Sequence, residues 1–210
     1  MIGRWPRGRP VAFAAMAALA ALALLVSLAV AARGMRHEAP LETFGELPSF
    51  HLVDQRGQSF STSSMLGHVS VVDFIFTRCT SSCPRLTAAM ASLQARLARA
   101  RSDARLVSFS VDPENDTPSV LSDYAARAHA DAARWTFVTG PSDQVSQAVV
   151  GGFKVSAAKV DRGANEHDVV HGNWFVLVDP QGRLRGYYAT DDPGFENTVV
   201  NDVGRLERPR

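Results

Sequence analysis

Cysteine is the scarcest informative residue in this chain: 210 residues contain two, Cys79 and Cys83. So low a count excludes a scaffold of several disulfides and disfavours a structural zinc site, which takes four cysteine or histidine ligands. Nor is a staple required, because the roughly 170 residues after the N-terminal segment suffice for one domain with a full core. The pair therefore needs a chemical explanation. Acidic residues are missing from the first 36 positions, which carry Arg4, Arg7, Arg9, Arg33 and Arg36. With those five set aside, 17 of the 22 basic residues stand against 21 acidic ones, a net −4 that argues against nucleic acid as a partner. Beyond the N-terminal segment there is no internal repeat and no low-complexity tract.

Charge is also absent from Val11 to Ala32, where Ser27 is the one clearly polar residue. At about 1.5 Å per residue this stretch reaches about 33 Å, enough to cross the hydrocarbon core of a bilayer. The expectation is a retained single-pass membrane anchor. The apolar run is long for a cleavable signal, although Ala29-Val30-Ala31 offers a cut site of the A-x-A kind. Arginines flank both ends, so charge bias favours a cytoplasmic N-terminus only weakly; the domain is expected on the non-cytoplasmic side, the periplasm in a bacterium. The expected organisation is an N-terminal tail at 1–10, the anchor at 11–32, a linker at 33–43, a single domain at 44–204 and a tail at 205–210, with Glu38 to Pro48 linker-like in composition.

The domain's pattern alternates. Phe50 to Val53 and Ser59-Phe60-Ser61, joined through Gly57, read as a short hairpin, and 69–76 as an apolar strand. Leu86, Met90, Leu93 and Leu97 recur at helical spacing and predict an amphipathic helix over about 84–100. Leu106 to Val111 is the next strand. Asp112-Pro113-Glu114-Asn115-Asp116-Thr117-Pro118 supplies turn, capping and first-turn proline signals for a helix through Ala128. A strand at Trp135 to Val138, a helix at Ser142 to Val149, paired strands at Asn173 to Val178 and Leu184 to Tyr188, and a helix over about 194–204 complete an α/β order that fits a thioredoxin-like fold.

Cys79-Thr80-Ser81-Ser82-Cys83-Pro84 directly follows Val71-Val72-Asp73-Phe74-Ile75-Phe76. This is the carboxyl end of an expected central strand, where open α/β sheets build their sites. Four residues apart at a helix start, the sulfurs can converge either to bond one metal ion or to form a disulfide, and spacing leaves both open. Thiolates are soft ligands that suit Cu(I). A purely structural disulfide would close a very short loop and constrain the unfolded chain little. His171, between Val169-Val170 and the next strand, is the best third donor, and spacing does not separate it from His167. His51, His68 and His129 fall in a hairpin, a turn and a helix end and are expected to be solvated. Neither Met35 nor Met65 belongs to a methionine-rich cluster. Arg78 and the helix N-terminus should both favour thiolate. Asp73, six residues before Cys79, reads either as a buried proton acceptor with a raised pKa or as a carboxylate satisfied by backbone or solvent. Thr80-Ser81-Ser82-Cys83 meets the bare T-x-x-C pattern of peroxiredoxins but lacks their preceding proline, which disfavours a peroxidase. Asp112 and Asp116 read as turn and cap residues.

Phe76-Thr77-Arg78-Cys79-Thr80-Ser81-Ser82-Cys83-Pro84, Val111-Asp112-Pro113-Glu114-Asn115-Asp116-Thr117-Pro118, and His171 followed by Val176-Leu177-Val178-Asp179-Pro180-Gln181-Gly182-Arg183-Leu184 together resemble the Sco/SenC family in order and spacing, over about residues 44–204. The resemblance implies a membrane-anchored, thioredoxin-like protein that binds copper and helps assemble the CuA centre of cytochrome c oxidase. It implies Cys79, Cys83 and His171 as metal ligands, one copper per chain, and the copper-receiving oxidase subunit as partner. Two positions depart from the family: Asp73, where an asparagine-containing pattern is frequent and thioredoxins carry a buried acid, and Gly172-Asn173, where a small hydroxyl residue is common. The expected function is a copper metallochaperone rather than an enzyme. The alternative is an anchored thiol–disulfide oxidoreductase, with Cys79 as nucleophile and Asp73 as proton acceptor.

Overall fold

The computed structural model describes residues 9–34, 39–80, 82–155, 157–161, 167–171 and 173–208, with side chains described at 15–27, 39–80, 82–155 and 173–208. Two compact units result, Met1–Pro40 and Leu41–Arg210. The first contains α1 (Arg9–Gly34), which takes in the expected span at 11–32. Its described side chains, from Ala15 to Ser27, are exposed, Leu19 and Leu24 by about two thirds. Among the described residues, no helix is long and apolar enough to cross a membrane.

The second unit runs β1 (Gly45–Glu46), β2 (His51–Asp54), β3 (Ser59–Ser61), α2 (Thr62–Met65), β4 (Ser70–Ile75), α3 (Cys83–Arg99), β5 (Arg105–Ser110), α4 (Pro118–Arg127), β6 (Trp135–Thr139), α5 (Ser142–Ser146), β7 (Ala157–Asp161), β8 (His167–His171), β9 (Trp174–Val178), β10 (Arg183–Ala189) and α6 (Phe195–Glu207). Eight strands form one mixed sheet in the order β1-β10-β9-β4-β5-β6-β2-β3. β4, β5 and β6 are parallel neighbours, and β9 runs antiparallel to β4 with Ser70 opposite Val178 and Val72 opposite Val176. Every residue of β4 is buried. That is what a near-continuous apolar run means in a sheet covered on both faces.

The amphipathic stripe of α3 seats Leu86, Met90, Leu93 and Leu97 in the core, each at most 2% exposed. Its outer face meets α6 through Glu196, which accepts from Ser92 Oγ at 2.7 Å and Arg96 Nη1 at 3.0 Å. Packed Phe50, Phe60, Phe74, Phe109 and Phe153 join the entry to β2, β3, β4, β5 and the end of the π-turn. Large aromatic surfaces of this kind dominate the burial that holds a single core together.

Four departures from the sequence reading have local causes. The helix expected at Ser142–Val149 is α-helical only to Ser146 and then widens into a π-turn over Gln147–Gly152, where Gly152 lets Pro48 lie against the backbone: a Cβ there would meet Pro48 Cδ at 2.7 Å. The final helix extends to Glu207. His171 ends a strand, β8, rather than lying in a loop, and β7 and β8 form a separate two-stranded sheet. Finally, part of the expected linker belongs to the domain. Arg185, 5% exposed, donates to the carbonyls of Leu41 and Glu42, Lys154 Nζ donates to Phe44 O at 2.6 Å, and β1 pairs with β10.

Arg185 also donates to the buried Asp179 carboxylate at 2.8 Å. Burial alone would raise the Asp179 pKa, but hydrogen bonds from Arg185 and from the Arg183 and Gln181 backbone outweigh it and hold the carboxyl below its ordinary value. Arg185→Ala should therefore lower stability by about 3 kcal/mol, the low end for breaking a buried pair, because Arg183 still serves Asp179. Urea unfolding measures this, and limited proteolysis should show early cleavage near Leu41; a loss under about 1 kcal/mol would mean the Arg185 cluster is not a fastening point.

Candidate metal and thiol site

Parallel β4 and β5 end at the same edge, and the loops leaving them face each other. The first carries Thr77-Arg78-Cys79 and delivers the chain to α3, whose first residue is Cys83, with Pro84 next to it where a missing N–H costs nothing. No disulfide joins the two cysteines: Cys79 is half-buried and Cys83 fully buried. The Cys83 N–H donates to Cys79 Sγ at 3.3 Å, so the helix start converges on the first sulfur. Ser82 Oγ lies 3.9 Å from the same sulfur.

Burial pushes the Cys83 thiol well up, and the neighbouring Cys79 and Asp73 push in the same direction. Desolvation thus outweighs the expected thiolate-favouring field at Cys83. The Arg78 side chain is 59% exposed and its guanidinium is paired with Asp112 Oδ2 at 2.9 Å. An exposed charge already neutralised by a partner acts weakly on its neighbours.

Asp73 is fully buried in the middle of β4, opposite Ser108 of β5. Its carboxyl is raised from 3.8 to about 7 by burial, with the Ser108 hydroxyl and its own backbone pulling the other way. No hydrogen bond of ordinary geometry reaches either carboxylate oxygen. Ser108 Oγ accepts from Trp135 Nε1 at 2.9 Å, which leaves its own O–H to turn toward Asp73. A solvent-facing aspartate is excluded. Tyr124 of α4 belongs to the same neighbourhood: its hydroxyl shares a 2.6 Å hydrogen bond with Thr87 Oγ1 and is pushed up to about 12 by burial, with Cys83, Asp73 and Cys79 adding to it.

The histidines divide by element. His51 is exposed on β2, His68 Nε2 is 3.0 Å from Arg105 Nη2, and His129 follows α4 in a left-handed conformation at φ 53°. Met65 is a core residue at 1% exposure, and Met35 lies outside the described residues. In the β7–β8 ladder His171 pairs with Ala157 and His167 with Asp161. His171 is therefore at the base that feeds β9, and His167 is four pairs, about 13 Å, further out. Continuing the β4–β9 register carries the start of β9 to the edge from which the cysteine loop departs. The side chains of both histidines, and Gly172, lie outside the described residues. Among the described residues, no three His, Cys, Asp or Glu side chains gather as a metal site.

Residues 39–206 match the SCO1/SenC family. The chain belongs to it. It is 37% identical over 159 residues to the SCO1 protein homolog of Bacillus subtilis, covering 75% of this chain and 79% of that one. A Stutzerimonas stutzeri protein provisionally named for copper binding is 32% identical over 142 residues, covering 67% and 68% of the two chains. The mixed α/β fold matches the solved structure of BsSco at a TM-score of 0.70 and 32% identity, over 80% of this chain and 98% of the other; BsSco is described as a Sco-family cytochrome c oxidase assembly protein with a disulfide switch.

The isolation of Asp73 sets a pH signature. Its folded pKa of about 7 exceeds its ordinary 3.8, so between these values the folded chain keeps a proton the unfolded chain has lost. Stability must then fall as pH rises through this window and level off above it. Asp73→Asn should unfold at the same urea concentration as the parent at pH 4 and at a higher one at pH 8. Parallel stability curves for the two proteins would mean that Asp73 is not held protonated.

Proposed function

We propose that this Sco/SenC protein is a copper metallochaperone for cytochrome c oxidase, holding one copper through Cys79, Cys83 and His171 and passing it to the oxidase subunit that carries the CuA site. The observation that carries this reading is the convergence of two unbridged cysteines at the end of β4, where the Cys83 N–H meets Cys79 Sγ. Two thiolates make a donor set suited to copper, and an imidazole completes a soft trigonal set that accommodates either oxidation state. Of the two histidines compatible with spacing, the hairpin register favours His171. The copper-binding name of the Stutzerimonas relative and the assembly role of BsSco support cargo and destination. Copper here is cargo, and a half-buried Cys79 leaves one sulfur open to ligand exchange with an acceptor.

Membrane attachment is part of the proposal. It rests on the uncharged sequence from Val11 to Ala32, inside the 26-residue helix α1, with the domain on the non-cytoplasmic side.

A second reading, thiol–disulfide exchange, is favoured by the unpartnered Asp73 acting on Cys83 and by the disulfide switch of BsSco. In it the Cys79 thiolate attacks a partner disulfide, one partner thiolate leaves, and a mixed disulfide forms. Cys83 gives up its proton, with Asp73 as acceptor, and attacks Cys79 Sγ to release the second partner thiolate. Two electrons pass from the Cys79–Cys83 dithiol to the partner.

The reduced full-length chain should bind one copper. Cys79→Ser and Cys83→Ser should each abolish tight binding, and His171→Ala should weaken it and change the Cu(II) absorption spectrum. Because both thiol protons must leave, affinity should fall as pH drops, and oxidation to the disulfide should prevent retention. Equal copper content in reduced and oxidised protein would defeat the thiolate site, and an unchanged spectrum in His171→Ala would remove that residue. Asp73→Asn separates the two readings: it should slow exchange with a disulfide substrate while leaving one copper bound, and loss of copper with normal exchange would reverse the roles.

A further inference from the structure

Asp116 stands in the turn after β5, where the sequence suggested a helix cap, yet α4 is capped by Thr117, whose Oγ1 accepts from the Val120 N–H at 3.4 Å. The Asp116 carboxylate points elsewhere. It is fully buried and accepts from the Thr77 N–H at 3.1 Å, from Thr77 Oγ1 at 2.5 Å and from Ser110 Oγ at 2.6 Å. Two of these three donors belong to Thr77, 39 residues earlier in sequence and two residues before Cys79. The remaining polar groups of the turn brace the same contact. Asp112 N–H donates to Ser110 Oγ at 3.1 Å, Asp116 N–H donates to Asp112 O at 2.9 Å, and Asp112 receives Arg78 Nη2 at 2.9 Å.

From this geometry we propose that Asp116 is a positioning residue for Cys79. It fixes both the backbone and the side chain of Thr77, and so sets the direction in which the chain leaves β4 to bring Cys79 Sγ over the N–H of Cys83. A loop between a strand and a helix has no ladder of its own to hold it. A carboxylate taking several hydrogen bonds in a dry setting is a strong fastening, and groups that orient metal ligands from behind commonly govern affinity by 10- to 100-fold. The assignment deepens the copper reading and rests on it for its consequence, while the fastening itself is a property of the metal-free chain.

The test uses the full-length reduced protein and Asp116→Asn. In metal-free protein, amide hydrogen exchange of the segment 76–82 should accelerate about tenfold or more while β4 and β5 keep their protection. Cu(I) affinity, read by competition with a chromogenic chelator, should fall roughly 10- to 100-fold and the Cu(II)–thiolate absorption should shift. Asp54→Asn, which disturbs a buried carboxylate at the end of β2, controls for general destabilisation and should leave affinity unchanged. Parental exchange at 76–82, or faster exchange with parental affinity and spectrum, would overturn the assignment. If Asp116→Asn does not fold, Thr77→Val and Ser110→Ala each remove one arm, and parental affinity and spectrum in both would overturn it equally. A parent chain that binds no copper would sink the metallochaperone reading, and exchange at 76–82 would then judge the fastening alone.

Discussion

The position of β4 governs the rest of this molecule. It lies between a parallel neighbour, β5, and an antiparallel one, β9, so three chain segments that carry chemistry meet at one sheet edge. The parallel pairing brings the turn after β5 beside the cysteine loop. The antiparallel pairing brings the start of β9, and with it the base of the histidine-bearing hairpin, to the same edge. A one-residue slip of β4 would turn Asp73 and every other β4 side chain to the opposite face and carry the cysteine loop out of reach of Asp116. Register is well defended because all of β4 is buried and Val71, Val72, Phe74 and Ile75 are each no more than 1% exposed.

The cost of that arrangement is a carboxyl with no ordinary hydrogen bond in the middle of the most buried strand. A leucine at position 73 would remove the penalty, since an unsatisfied buried polar group is among the more expensive features a core can hold. Asp73 is instead coupled electrostatically to Cys83 and Tyr124, which places the destabilising group beneath the reactive one. Strain of this sort concentrates at functional sites. The same burial that raises the Asp73 carboxyl to about 7 pushes the Cys83 thiol up, so a metal bound there must displace the Cys83 proton.

Much of this was legible in the residues. The apolar run at 71–76, the stripe Leu86, Met90, Leu93, Leu97 and the turn at Asp179-Pro180-Gln181-Gly182 each follow a period or a turn chemistry that local physics imposes, and the structure places elements there within a residue or two. The pair Cys79 and Cys83 announced itself by scarcity. What escaped has a common cause. The β7–β8 hairpin has little apolar alternation to mark it, and β1 is two residues long. The role of Asp116 was hidden because a capping residue and a long-range acceptor look identical in sequence. Only the pairing of β4 with β5 tells which donor it meets. Burial at Cys83 was likewise a tertiary property, and it reversed the expectation drawn from the neighbouring helix N-terminus.

The two readings of the site draw on the same atoms and differ in what the thiols must be. Holding copper requires two thiolates at once and profits from a fixed loop, whereas disulfide exchange requires one accessible nucleophile and a second sulfur able to move toward it. The asymmetry between a half-buried Cys79 and a fully buried Cys83 serves exchange, and the fastening of Thr77 by Asp116 serves coordination. These features coexist without conflict because they act on different parts of the loop: Asp116 holds the segment entering Cys79, and the asymmetry in exposure arises where α3 begins. Both readings need the reduced pair, so oxidation to a Cys79–Cys83 disulfide would close the site to copper and to a partner's disulfide alike, without a change of fold.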